Sequence, residues 1–83
     1  MPLFTDILFN EASGRHELHF VNQQYDFLMC ICWNEEAKDY AFNVSEEEAL
    51  RIALDWRKDF SVRESLARAR KELPERDRAR AAP

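Results

Sequence analysis

One segment, residues 45–60, constrains the fold of this chain more than any other. Ser45 and Glu48 have the S-x-x-E spacing of a capping box, in which the two side chains accept hydrogen bonds from free N–H groups at the start of a helix. The apolar residues recur at the three- and four-residue intervals of one helix face, and they are Ala49, Ile52, Ala53, Trp56 and Phe60. We therefore predict an amphipathic helix over residues 46–60, anchored in the core by Trp56.

Four segments before this helix alternate in the manner of β-strands. They are residues 3–9, 16–21, 25–33 and 39–44. Because the connections between them are short, the strands are expected to pair as an antiparallel meander. The helix is expected to pack on one face of this sheet, against Phe27, Met29, Ile31 and Phe42.

A second helix is predicted over residues 62–73. Ser61 and Glu64 repeat the capping-box spacing. The apolar seam that follows is narrow and consists of Val62, Leu66, Ala69 and Leu73. Beyond Pro74 the periodicity is lost, so residues 74–83 are expected to form a frayed, flexible, charged tail. The sequence thus predicts a single α+β domain over residues 1–73.

Length and composition indicate a small protein of a reducing compartment. Eighty-three residues are enough for one small domain. Cys30 and Cys32 are too close in sequence for a stabilising disulfide, which favours a compartment where thiols stay reduced. The N-terminus lacks the pattern of a signal peptide, and no apolar stretch is long enough to span a bilayer. We expect a cytoplasmic protein that does not enter membranes.

The histidines and cysteines do not form a recognisable metal or catalytic motif. His16 and His19 are three residues apart on a predicted strand, so their rings should point to opposite faces. Cys30 and Cys32 share a face but lack a second cysteine pair. Only pairing of the second and third strands, with His19 beside the cysteines, would build a mixed metal site. We predict no metal, no cofactor, no catalytic residue and no enzymatic activity.

The acidic residues are the first candidate binding surface. Residues 1–50 carry ten acidic and two basic side chains. Those expected to bind a basic surface on another protein lie in the turn before the fourth strand and at the start of the first helix, and they are Glu35, Glu36, Asp39, Glu46, Glu47 and Glu48. They could form one patch or two, or serve solubility alone.

The sheet face away from the helix is the second candidate surface. The chain has little left to cover this face, and an exposed apolar patch there would indicate a partner or a homodimer. Its predicted residues are His19, Val21, Leu28, Cys30 and Cys32.

These surfaces support three hypotheses of different classes. The first is a small acidic protein-binding module that occludes the basic, nucleic-acid-binding surface of a partner, as antitoxins, immunity proteins and phage anti-defence proteins do. The second is a homodimer formed through the open sheet face or the seam of the second helix. The third is direct nucleic-acid contact by the basic second helix, which is less favoured because no aromatic residue interleaves with its basic residues.

Overall fold

The computed structural model describes residues 2–83, which form four strands followed by two helices. The elements are β1 (Phe4–Asn10), β2 (Arg15–Val21), β3 (Phe27–Asn34), β4 (Asp39–Phe42), α1 (Glu46–Leu54) and α2 (Val62–Ala81). The strands lie in the sheet in chain order, each antiparallel to the next. The predicted α+β fold with an antiparallel meander is confirmed.

Both helices pack on one face of the sheet. The core is formed by Leu18, Phe20, Met29, Ile31, Tyr40 and Phe42 of the sheet and by Ala49, Ala53, Leu66, Ala69 and Leu73 of the helices. Most of the helix–sheet packing comes from α2, which lies mainly on β2, whereas α1 packs on β3 and α2. The helix that the sequence marks most clearly is therefore the lesser contributor to the core.

The first helix ends at Leu54, six residues before its predicted end at Phe60. The N–H groups of Trp56 and Arg57 both donate to the carbonyl of Ala53, which closes the helix in a turn. Phe60 is partly buried and packs against the core, with its ring centroid 5.6 Å from that of Phe20, whereas Trp56 is not among the residues that pack there. The prediction that Trp56 anchors the helix is wrong, because the turn after Leu54 breaks the helical stripe.

A β-bulge between β2 and β3 changes which residues face the helices. Phe20 pairs with Met29 but Val21 pairs with Phe27, so Phe27 and Leu28 together oppose Val21. An extra residue of this kind interrupts the alternation of side chains. Phe27 is 53% exposed and its ring lies edge-on to that of His19, at 5.2 Å between centroids. The prediction that Phe27 packs under the helix is therefore wrong.

The second helix continues through Pro74 to Ala81, so residues 74–81 are helical and the predicted frayed tail is wrong for them. Proline in a helix interior removes one backbone hydrogen bond and costs about 3 kcal/mol. Two contacts beyond Pro74 offset this cost. The Asp77 carboxylate accepts a hydrogen bond from the backbone N–H of His16 at 2.7 Å, and the Arg80 guanidinium lies 3.6 Å from the centroid of the Phe9 ring.

Neither helix within residues 2–83 combines the length and the apolar character that crossing a bilayer requires.

We predict that Leu73→Ala destabilises the protein by about 2–5 kcal/mol, because Leu73 is fully buried where α2 meets the sheet. The measurement is the free energy of unfolding from chemical denaturation. Leu54→Ala is the matched control, since Leu54 is 44% exposed, and it should change that free energy by no more than about 0.5 kcal/mol. Equal losses from the two variants would contradict the packing described here.

Asp77→Ala tests whether the end of α2 belongs to the domain. The change leaves a backbone N–H of β2 without its acceptor, so we expect a loss of about 1–3 kcal/mol in unfolding free energy. Glu75→Ala, at an exposed position in the same helix, should have little effect. A frayed segment would make both substitutions equally harmless.

Candidate interaction surface on the uncovered sheet face

The sheet has one face that neither helix covers. Cα partners in an antiparallel sheet project their side chains to the same side. Phe4 pairs with Val21, Leu8 with Glu17 and Asp6 with His19, all on the side opposite the core. This surface, called the uncovered face below, includes Phe4, Asp6, Leu8, Asn10, Arg15, Glu17, His19, Val21, Phe27, Leu28, Cys30 and Cys32.

Three large apolar side chains are exposed on the uncovered face. Phe4 is 46% exposed, Leu8 is 44% exposed and Phe27 is 53% exposed. Phe4 and Phe27 both pair with Val21, so Phe4, Val21 and Phe27 form a row across β1, β2 and β3. Leu8 is outside this row, because Asp6 lies between it and Phe4 on the same face of β1. Val21 itself is only 8% exposed, because its neighbours in the sheet shield it. Phe4, Val21 and Phe27 therefore form a contiguous apolar strip, called the apolar strip below, whose two aromatic rings are exposed to solvent.

Sequence reasoning identified part of this surface and missed its most exposed part. The structure places the predicted residues His19, Val21 and Cys30 on the uncovered face, together with the unpredicted Phe4 and Leu8. The sequence does carry a signal for Phe4 and Leu8, since they alternate with Thr5 and Ile7 in β1. No pattern in the sequence predicts the bulge that brings Phe27 to the uncovered face.

A polar cluster lies beside the apolar strip. His19 Nε2 is 3.0 Å from an oxygen of Glu17, and His19 pairs with Cys30 across β2 and β3. Each of Glu17, His19 and Cys30 has one atom that could bind a metal, and these three atoms lie within 4.8 Å of one another. His16 points to the other side, where its ring contacts Asp77, so the predicted separation of the two histidines is confirmed.

The two thiols of this cluster are held in the protonated form. Burial raises the pKa of the Cys30 thiol to about 12, and the nearby Cys32 thiol and Glu17 carboxylate add to the shift. Burial also raises the pKa of Cys32, and Glu17 contributes in the same direction. Neither thiol is activated as a nucleophile at neutral pH, because the thiolate is the reactive form.

The six predicted acidic residues do not form one free patch. Asp39 receives two hydrogen bonds from Arg70, at 3.1 and 3.0 Å, which hold the pKa of Asp39 below its usual value. Glu35 is paired with Lys38, and Glu48 with Arg51, and the same effect lowers the pKa of both glutamates. No ion pair within residues 2–83 involves Glu36, Glu46 or Glu47, and these three stay exposed. About half of the predicted acidic surface is therefore neutralised by the protein's own cations.

The second helix offers less free surface than the sequence indicated. Its apolar seam is buried on the sheet, with Leu66 at 7% exposure and Leu73 at 0%, so the predicted dimer contact through this seam is wrong. Several of its basic residues are already engaged. Arg68 contacts Glu72 and Thr5, Arg70 contacts Asp39, and Arg80 lies over the Phe9 ring.

Comparison of this chain with protein-family models, curated protein sequences and solved structures gave no match.

We predict that both thiols react slowly with iodoacetamide at pH 7–8 in the folded protein, and that Cys30 is the slower. The expectation follows from the raised pKa of each thiol and from the 8% exposure of Cys30. Ionisation is disfavoured in the folded state, so these thiols favour folding below their unfolded pKa, and that contribution is lost as pH rises toward the folded values.

Alkylation followed by mass spectrometry measures the two rates separately. Cys32→Ser leaves Cys30 as the reporter, and Cys30→Ser leaves Cys32. The urea-unfolded chain gives the reference rate for each thiol. A Cys30 thiol that reacts as fast in the folded protein as in urea would contradict the prediction.

Proposed function

We propose that this chain is a protein-binding module that uses its uncovered sheet face to hold a partner with apolar side chains bordered by basic groups. The observation that carries the proposal is the exposure of Phe4, Leu8 and Phe27 on one face of the sheet. Contiguous apolar patches rimmed by polar groups mark interaction sites on soluble proteins. Aromatic side chains are also enriched at the centres of protein interfaces.

The apolar strip has the geometry of an anchor site. Phe4 and Phe27 flank Val21 on neighbouring strands, so a partner side chain placed over Val21 would contact both rings. Burial of apolar surface contributes about 25 cal/mol per Å², and burying the two half-exposed rings would supply a large share of the binding free energy. The strands hold these side chains in place before binding, which limits the entropy lost on association.

The charge of the sheet layer supports a basic partner. Residues 2–45, which include the whole sheet, carry seven acidic and two basic side chains, a net charge of −5, whereas residues 46–83 carry nine acidic and ten basic, a net charge of +1. Asp6 and Glu17 lie on the uncovered face itself, together with one basic residue, Arg15. Two copies of this chain joined by this face would bring two acidic layers together, so the charge favours a different, basic protein over a homodimer.

A basic partner surface of this kind is typical of nucleic-acid-binding proteins. The proposed module would act as an inhibitor of such a partner by occupying the surface that binds phosphates. The free carboxylates of Glu36, Glu46 and Glu47 would add long-range attraction and speed the encounter, while the sheet face supplies the contact.

The test compares the proteins that tagged wild-type and variant chains capture from cells of the native host. Phe27→Ser removes an exposed anchor from the strip, and Leu54→Ser is the matched control because Leu54 is exposed to a similar degree but lies at the end of α1. We expect a protein held by wild type and by Leu54→Ser but lost by Phe27→Ser. With that partner purified, Phe27→Ser should weaken binding by about tenfold or more.

Two further measurements test the charge attraction and the inhibition separately. Affinity should fall as salt is raised from low to physiological concentration, since screening weakens the acidic–basic attraction. The partner should also lose its nucleic-acid binding when this protein is bound. Capture that Phe27→Ser leaves unchanged would overturn the proposal, and so would a self-associated wild-type chain that Phe27→Ser converts to a monomer in sedimentation experiments.

A further inference from the structure

Four potential metal ligands share one corner of the uncovered face. Glu17 and His19 are two residues apart on β2, and Cys30 and Cys32 are two residues apart on β3. His19 pairs with Cys30, and the pairing of Leu18 with Ile31 places Glu17 opposite Cys32. The four side chains therefore form a square on one side of two neighbouring strands.

We propose that Glu17, His19, Cys30 and Cys32 bind a single zinc ion. The proposal goes beyond partner binding and does not depend on it, because every ligand belongs to this chain. Zinc takes carboxylate, imidazole and thiolate ligands in tetrahedral geometry, at about 2.0–2.3 Å from the metal.

The distances among three of the ligands, Glu17, His19 and Cys30, are close to those of this geometry. Tetrahedral ligands at those bond lengths lie roughly 3.5 Å from one another. The His19 and Glu17 donor atoms are already 3.0 Å apart, and the Cys30 sulfur lies within 4.8 Å of both. Cys32 is two residues from Cys30 on the same side of β3, and it lines a cavity together with Glu17. Cys32 does not belong to this group of ligand atoms within 4.8 Å of one another, so its side chain has to rotate toward the other three to complete the site.

Neighbouring residues hold two of the ligands in place. The Asn10 side-chain amide donates to the second Glu17 oxygen at 3.0 Å, and the Phe27 ring packs edge-on against the His19 ring. Partners of this kind orient metal ligands and strengthen metal binding. The bulge that moves Phe27 to this side of the sheet thus contributes to the site as well as to the apolar strip.

The chemistry of the four ligands determines which metal the site would bind, and the surface beside them gives a metal ion access to the site. Zinc binding would release the protons that both thiols carry in the metal-free protein. The resulting two thiolates and an imidazole suit zinc, whereas magnesium and calcium prefer oxygen ligands alone. The side chains of Glu17 and His19 are 16% and 20% exposed, so the ion would be largely shielded from water. A cavity of about 210 Å³, lined in part by Arg15, Glu17 and Cys32, opens beside them and provides a route for entry.

The experiment titrates zinc into tag-free protein in competition with a chromophoric chelator, with a non-thiol reductant present. We expect one zinc per chain, a rise in the melting temperature on zinc addition, and thiolate-to-cobalt charge-transfer absorption when cobalt replaces zinc. Cys30→Ser, Cys32→Ser and His19→Gln should each weaken zinc binding by at least about tenfold, since even the partners of metal ligands have effects of that size.

The matched controls are His16→Gln, which alters the histidine on the other side of the sheet, and Asp6→Asn, which alters a neighbouring carboxylate on the same face. Both should keep the wild-type affinity for zinc. Circular dichroism without zinc establishes that each variant is folded. The proposal is overturned if micromolar zinc does not bind one-to-one, if Cys30→Ser and His19→Gln bind as tightly as wild type, or if His16→Gln is as weak as His19→Gln. An unchanged affinity in Cys32→Ser would overturn the four-ligand site.

Discussion

The packing of α2 on the sheet is the interaction on which the rest of this structure depends. Ala69 is fully buried and has a side chain small enough to let the helix approach the strands closely. Leu66 and Leu73 lie one helical turn to either side and enter the core formed by residues such as Leu18 and Ile31. A four-stranded sheet of this length needs one such layer for stability, and α2 supplies most of it.

The two faces of the sheet carry different kinds of side chain, because the helices cover only one of them. The core side is mainly apolar, with the His16–Asp77 contact as a polar exception, whereas the uncovered face combines an apolar strip with Glu17, His19 and the two thiols. Both helices lie on the same side of the sheet, so neither helix within residues 2–83 covers the other face. The bulge at Phe27 and Leu28 links the two features, because it adds a ring to the strip and places that ring against His19.

Ion pairs within the protein neutralise part of the acidic surface that its composition indicates. Arg70 holds Asp39, Lys38 holds Glu35 and Arg51 holds Glu48, so these carboxylates serve the protein's own surface. Such exposed pairs contribute little to stability, but they remove free negative charge from the cluster that the sequence indicated. The remaining excess of acid lies in the sheet layer as a whole, which is why the charge argument favours a broad basic surface rather than one point of contact.

The sequence by itself determined the elements of this protein, and the tertiary structure decided how they are used. Alternation, short turns and the cap residues Ser45 and Ser61 predicted four strands, their antiparallel order and both helix starts, because these signals are local. The sequence also predicted that His19 would lie near Cys30 or Cys32 if their strands paired. It did not predict the bulge at Phe27, the early end of α1 or the helical segment after Pro74. These depend on the register between strands and on contacts between residues far apart in the chain, such as Asp77 with His16, which no local pattern encodes.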